Sequence, residues 1–143
     1  MRVAMATGLC LAGAGLVGAL AVGASAGGPT LAAVARIEPG LWQLKATGSD
    51  APPRNLCIAD AAVLIQYGHG NAQCQRYVIA DEPNLATVHY TCPGTGHGQT
   101  SVKVTTPRNF TLETQGILNG APFDEQYEAR RTGVCAPGAT ALR

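Results

Sequence analysis

The chain has 143 residues, a formal net charge of +1 and only 13% charged residues. This length suits a single domain. Its longest basic run is Arg130-Arg131. A nucleic-acid backbone requires a concentrated basic face, so we expect no nucleic-acid partner.

Residues 1–26 have the pattern of a secretory signal peptide. Met1-Arg2 is a short basic start, residues 3–23 are uncharged and largely apolar, and Ala24-Ser25-Ala26 offers the small residues that a signal peptidase requires. We therefore expect a periplasmic or secreted protein without a membrane span once the leader is removed.

The mature chain is expected to have three parts. Residues 27–36 are small and apolar without periodicity and predict a flexible lead-in, which includes a second possible cleavage site at Ala33-Val34-Ala35. Either Ala26 or Ala35 therefore ends the leader. Residues 37–135 predict a single β-rich domain, and residues 136–143 a C-terminal tail.

Within the domain, short alternating segments between turn residues predict a curved antiparallel β-meander of five to six strands with one solvated face. The segments are 41–47, 77–79, 85–92, 102–106, 110–117 and 123–131. Asn119-Gly120 is the strongest turn signal, because a type I′ hairpin needs positive φ at both central residues.

One segment lacks this alternation. Residues 58–67 are almost continuously apolar, and Asp60 would favour the positive end of a helix dipole. We therefore expect one short α-helix at about 59–66, with a buried strand as the competing interpretation.

Four motifs, taken together, resemble domain-of-unknown-function family 3617, a family of small exported bacterial proteins. They are Pro39-Gly40-Leu41-Trp42, Cys57-Ile58-Ala59-Asp60, the pair Cys74 and Cys92, and Arg131-Thr132-Gly133-Val134-Cys135. The resemblance covers about residues 37–135 and implies a fold and a compartment but no activity. The chain departs from the family at Ala59-Asp60, where Thr-Pro-Glu is usual, which removes a good helix N-cap.

Four cysteines follow the leader, and an even number in an oxidising compartment predicts two disulfides. If residues 81–84 form a hairpin tip, Ala80 pairs with Leu85 or Ala86, and the second register places Cys74 opposite Cys92. Cys57 then pairs with Cys135. Only the register of the strands decides which cysteines pair, so Cys57–Cys74 with Cys92–Cys135 remains the second choice.

A metal site is the sharpest alternative use of these cysteines. His69 and His97 each lie five residues from Cys74 or Cys92, and a Cys₂His₂ set suits zinc or copper. Export favours disulfides, however. We therefore expect no metal and no cofactor.

Catalytic residues are not predicted. Ser49 and Ser101 lack a Gly-x-Ser-x-Gly elbow, and His89 is expected to be a solvated strand residue. Asp124 and Glu128 would share a strand face about 13 Å apart, too far for paired-carboxylate glycosidase chemistry.

The sequence thus predicts a non-catalytic binding module for a small molecule, peptide or envelope component. A structural or stress-related envelope protein that acts through protein contacts is the alternative, and a metal-binding protein is the third choice. The aromatic residues are expected to serve the core rather than a ligand groove. They include Trp42, Tyr90, Phe110, Phe123 and Tyr127.

Overall fold

The computed structural model describes residues 30–142, so the predicted signal peptide at 1–26 lies outside the described residues. The described chain forms eight strands: β1 (Gly40–Ala46), β2 (Arg54–Ile58), β3 (Gln75–Asp81), β4 (Leu85–Cys92), β5 (Gly96–Thr106), β6 (Asn109–Leu118), β7 (Ala121–Gly133) and β8 (Ala141–Leu142). A short helix, α1 (Ala32–Ala35), precedes them, and a 3₁₀ helix (Ala61–His69) separates β2 from β3. None of the helices in residues 30–142 has the length and apolarity that crossing a bilayer requires.

All eight strands belong to one sheet, in the order β3-β4-β5-β6-β7-β1-β2-β8. Every neighbouring pair is antiparallel except β2 and β8. The prediction of a mainly β antiparallel fold is confirmed, but the expected five to six strands were too few. The additional strands are β2, which follows Pro52-Pro53, and β8, which has two residues in the segment expected to be a tail.

The Asn119-Gly120 hairpin is confirmed. Leu118 pairs with Ala121, which leaves the two predicted residues as the turn between β6 and β7. Both have positive φ, 51° for Asn119 and 84° for Gly120, as a type I′ turn requires.

The hydrophobic core lies on one face of the sheet, beneath α1 and the 3₁₀ helix. Alternate residues of β1, β4, β5 and β6 supply it, because successive strand side chains point to opposite faces. The largest apolar side chains that are almost fully buried are Trp42, Leu44, Ile58, Leu64, Ile65, Val88, Tyr90, Val102, Val104 and Leu112.

The expectation of a flexible lead-in at 27–36 is wrong for residues 31–36. Leu31, Ala33 and Val34 are buried and belong to the core. The backbone N–H of Ala32 donates to Asp81 Oδ1 at 2.8 Å, and Arg36 donates to the Pro83 carbonyl at 2.9 Å. A four-residue helix needs only one buried face. Because nearly every residue of this segment is small and apolar, no periodicity in the sequence indicates that face.

The predicted helix at about 59–66 is present but displaced and of a different type. It is a 3₁₀ helix over Ala61–His69, interrupted at Gln66, where φ is −124° and ψ is 37°. Asp60 caps it, since its Oδ1 accepts from the backbone N–H of Ala62 at 2.9 Å. The departure from the family pattern at Ala59-Asp60 therefore leaves a working N-cap.

The disulfides join Cys57 to Cys135 and Cys74 to Cys92, with Cα–Cα distances of 5.4 and 4.1 Å. These are the preferred pairings, although the hairpin register differs from the predicted one at its tip. Ala80 pairs with Thr87, and a bulge after Val78 restores the register that brings Gln75 opposite Thr91. Cys74 and Cys92 follow immediately along that ladder.

Candidate functional site

The four residues of the alternative metal site do not come together. Cys74 and Cys92 are bonded to each other. His69 is buried on the helix-covered face, whereas His97 is exposed. Residues 30–142 contain no cluster of three or more histidine, cysteine or acidic side chains that could hold a metal ion. The disulfide uses the sulfur ligands, so this metal-binding hypothesis is overturned.

His69 instead has a structural role. Its Nε2 lies 3.0 Å from the Ile117 carbonyl oxygen and its Nδ1 lies 3.3 Å from the Tyr90 hydroxyl. The carbonyl can only accept, so Nε2 carries the proton and Nδ1 accepts from Tyr90. The ring also stands edge-on to Tyr90 at a centroid distance of 5.1 Å. The side chain thereby ties the end of the 3₁₀ helix to β4 and β6.

Replacing His69 with Phe is expected to lower the free energy of unfolding by about 1–3 kcal/mol, because the Ile117 carbonyl and the Tyr90 hydroxyl would lose a buried partner. Urea unfolding followed by Trp42 fluorescence measures this. His97→Phe is the matched control and should change stability by less than about 0.5 kcal/mol, since His97 is exposed. Equal effects of the two substitutions would contradict the structural role of His69.

The open face of the sheet carries the other predicted polar residues. His89 and His97 lie on neighbouring strands with ring centroids 6.2 Å apart. They line a shallow depression of about 430 Å³ together with Gln99 and Gln115. Asp124 and Glu128 are exposed on β7. Within residues 30–142, no carboxylate lines the depression beside the histidines, so this part of the chain supplies them with no acid–base partner there.

Most of the aromatic residues are in the core, as expected. Trp42, Tyr90 and Phe110 are at most 2% exposed, and Trp42 packs on Phe110 with ring centroids 4.8 Å apart. Phe123 is half-buried and stands edge-on to His69. Tyr127 is buried too, and its hydroxyl accepts from Arg54, which lines a cleft that the sequence did not indicate.

This cleft lies at the margin of the covered face, where β2, β7 and the end of the 3₁₀ helix meet. Arg54 pairs with Leu44 in the β1–β2 ladder, so Arg54 and Leu56 lie on the core side of the sheet. The cavity has a volume of about 350 Å³, within the range of small-molecule sites. It is lined by Arg54, Leu56, Val63, Tyr67, Gly68, Gly70, Asn71, Glu125 and Leu142.

Two tyrosines fix the position of Arg54 in the cleft. Its Nη2 donates to the Tyr67 hydroxyl at 2.6 Å and to the Tyr127 hydroxyl at 2.9 Å. Its Cζ lies 5.7 and 5.4 Å from the two ring centroids, within cation–π range. The tyrosines themselves pack edge to face at 5.6 Å. The guanidinium is thus held from one side only.

The remaining donors of Arg54 have no partner among residues 30–142, and no carboxylate there lies within 4.0 Å of it. Arg54 is nevertheless exposed to solvent. The Nε and Nη1 groups carry three further N–H donors in the guanidinium plane, and each can donate a charge-assisted hydrogen bond to a ligand carboxylate. The site therefore presents an oriented cation beside an apolar wall.

The tyrosines remain neutral at physiological pH. Burial, followed by the negative charge of Glu125, raises the pKa of Tyr127 to about 12 although Arg54 acts to lower it. Burial likewise raises the pKa of Tyr67, again against the effect of Arg54. Neither phenol therefore cancels the positive charge of Arg54.

Gly68 keeps the rear of the cleft compact. A Cβ at this position would lie 2.7 Å from Cε2 and Cζ of Phe123, closer than real contacts allow. The absence of a side chain at Gly68 therefore leaves room for the Phe123 ring of β7 against the 3₁₀ helix.

The fold and the cleft define a small disulfide-linked protein built on one antiparallel sheet, with a ligand-sized cavity at one margin. The chain belongs to the family DUF3617, described as a protein of unknown function, whose model matches residues 37–135. The resemblance found in the sequence motifs is thereby confirmed. Among curated proteins and among solved structures, no match to the chain is found.

Proposed function

We propose that this protein is an exported, non-catalytic binding module whose ligand is a small carboxylate with an apolar chain. The observation that carries the proposal is the Arg54 guanidinium, which two tyrosine hydroxyls orient and which has no ion-pair partner within 4.0 Å in the described residues, although Glu125 lines the same cleft. A ligand carboxylate would accept from its free N–H groups. The ligand's apolar chain would lie against Leu56, Val63 and Leu142.

Export is part of this proposal. The signal-peptide pattern at residues 1–26 supports it, and so do the two disulfides, since such bonds persist in oxidising compartments. A periplasmic or secreted protein would meet amphipathic carboxylates released from lipids or peptides of the envelope.

Binding of octanoate to the mature protein, measured by isothermal titration calorimetry, tests the ligand class. Octanol has the same apolar chain without the charge, and we expect it to bind at least about tenfold more weakly, because a charge-assisted hydrogen bond contributes about 1.5–3 kcal/mol. Arg54→Gln should remove this difference. Arg54→Lys should restore it only in part, because an ammonium lacks the planar set of donors that bonds the two tyrosines with one nitrogen and keeps the others free for the ligand.

Arg130→Gln is the matched control, since Arg130 is an exposed arginine on β7 that reaches only Gln43. It should bind octanoate like the unmodified protein. Two results would contradict the proposal: the absence of saturable octanoate binding, or equal binding of octanoate and octanol. Circular dichroism of each variant shows whether the fold is retained.

A role through protein contacts is the second candidate function, and one observation favours it. The edge strand β3 exposes Tyr77, Val78 and Ile79, which is a surface suited to another chain rather than to a small ligand.

A further inference from the structure

The two edges of the sheet differ in how they are protected. At one edge, β8 has only two residues, and a very short edge strand is a usual defence against pairing with other chains. At the other edge, β3 has seven residues, and β4 is its one partner strand in the described part of the chain. It contains neither proline nor lysine, so its outer side offers backbone N–H and C=O groups that no strand within residues 30–142 pairs.

The three central side chains of β3, at residues 77–79, are apolar and exposed. Tyr77 is 71% exposed, Ile79 51% and Val78 38%, and these are three of the four large hydrophobic residues exposed in residues 30–142. Unpaired backbone groups beside exposed apolar side chains form a template for adding a strand.

The charges of β3 are complementary to β3 itself. When β3 pairs antiparallel with β3 of a second copy, Arg76 can lie opposite Asp81, Tyr77 opposite Ala80 and Val78 opposite Ile79. A twofold axis repeats each of these pairs. Opposite charges across neighbouring strands stabilise a pairing, whereas like charges destabilise it.

The bulge after Val78 makes this register possible. On a regular strand, two residues five positions apart, such as Arg76 and Asp81, lie on opposite faces of the sheet. In a twofold antiparallel pair of strands, residues directly opposite each other must lie on the same face. Across the β3–β4 ladder, however, Arg76 faces Tyr90 and Asp81 faces Ala86, both of which are buried on the core side. The extra residue therefore returns Asp81 to the face of Arg76.

Both charged groups are held in place and keep free hydrogen-bonding capacity. Arg76 Nη2 donates to Gln66 Oε1 at 2.8 Å, and Asp81 Oδ1 accepts from the Ala32 N–H at 2.8 Å. The other guanidinium nitrogens and Asp81 Oδ2 have no hydrogen-bond partner within residues 30–142. Neither residue has an ion-pair partner in that range.

We propose that a second copy of this chain pairs with β3 in this antiparallel register and joins two eight-stranded sheets into one. The Arg54 cleft lies towards the opposite end of the strand order, on β2. The dimer therefore neither requires nor blocks the proposed ligand site.

Native mass spectrometry and sedimentation velocity of the mature, oxidised protein test the proposal. The unmodified chain should form a dimer. Arg76→Asp alone would place Asp opposite Asp81 twice, and Asp81→Arg alone would place Arg opposite Arg76 twice. Each single variant should therefore weaken the dimer by at least about tenfold.

Mixing the two single variants provides the sharpest result. The mixture should form a heterodimer of intermediate mass, because each charge then faces its opposite. Ile79→Lys, at an exposed position, should also be monomeric, and it serves as a second variant should either charge reversal disturb the hairpin. Arg130→Asp, on a different strand, should remain dimeric.

A monomeric unmodified chain would overturn the proposal. A dimer that persists in both single variants and in Ile79→Lys would overturn it as well, since the contact would then lie elsewhere. A mixture that yields no heterodimer, although both variants are folded by circular dichroism, would exclude this register.

Discussion

A chain that begins at Arg36 is expected to have a free energy of unfolding about 3 kcal/mol lower than one that begins at Gly27. The shorter chain lacks Leu31, Ala33 and Val34, which are 8%, 0% and 6% exposed in the core. Burying a large aliphatic side chain contributes about 1.5–3 kcal/mol. The surface beneath α1 on β4, β5 and the 3₁₀ helix would also become exposed. The lost ordering of a few residues offsets part of this stabilisation.

The measurement is urea unfolding of both chains, each with its disulfides oxidised. Leu31→Ala with Val34→Ala in the longer chain is the control, because it removes the same buried atoms without changing chain length. Its loss should be comparable, about 3–5 kcal/mol, given the cost of large-to-small core substitutions. Equal stability of the two chain lengths would contradict a core role for α1.

This result bears on the choice between the two candidate cleavage sites. A domain of this size has a total stability of about 5–15 kcal/mol, so cleavage after Ala35 would remove a large share of it. Cleavage after Ala26 keeps the whole of α1. If the chain is exported as proposed, cleavage after Ala26 would keep the packed Leu31 and Val34, whereas cleavage after Ala35 would remove them.

The elements that the sequence predicted correctly are those whose conformation depends on residues close together along the chain. Asn119-Gly120 requires only its own two φ angles, and the alternation in β4 reflects one buried face along one strand. β2 was missed because its pattern contains only two apolar residues on the core face, Leu56 and Ile58, and follows a proline pair. β8 is too short to have any periodicity.

The disulfide register shows a limit of local reasoning. The interpretation with Cys74 opposite Cys92 assumed a regular ladder from the hairpin tip. In the structure, the pairing of Ala80 is shifted by one residue from that regular ladder. The bulge after Val78 restores the expected pairing for residues 75–78. A bulge depends on packing across strands rather than on a sequence signal, so the pairing of the cysteines was predicted without the bulge that produces it.

The Arg54 cleft had no local signal at all. Arg54 lies 13 residues from Tyr67 and 73 from Tyr127 along the chain, and each of the three residue types is common on protein surfaces. Only the order of the strands, with β1 between β2 and β7, brings them to one margin. The spacing of residues along the chain indicates only compact ligand sets such as His69, Cys74, Cys92 and His97.

Removing the Cys57–Cys135 disulfide is expected to lower the free energy of unfolding by about 4 kcal/mol. The bond joins residues 78 apart in sequence, and in the chain-entropy treatment a longer loop confers more stability because it restricts the unfolded chain more. The bond connects β2 to the segment after β7, on either side of β1, and thus links the first and last parts of the domain.

The Cys74–Cys92 disulfide is the matched control, since it spans only 18 residues. The same treatment gives about 3 kcal/mol for its loss, and it joins two strands that are already paired. Urea unfolding of Cys57→Ala with Cys135→Ala and of Cys74→Ala with Cys92→Ala compares the two. A larger loss for the Cys74–Cys92 pair would show that local support of the β3–β4 hairpin outweighs loop length. In that case the edge strand proposed to pair with a second copy would depend on its own disulfide for its order.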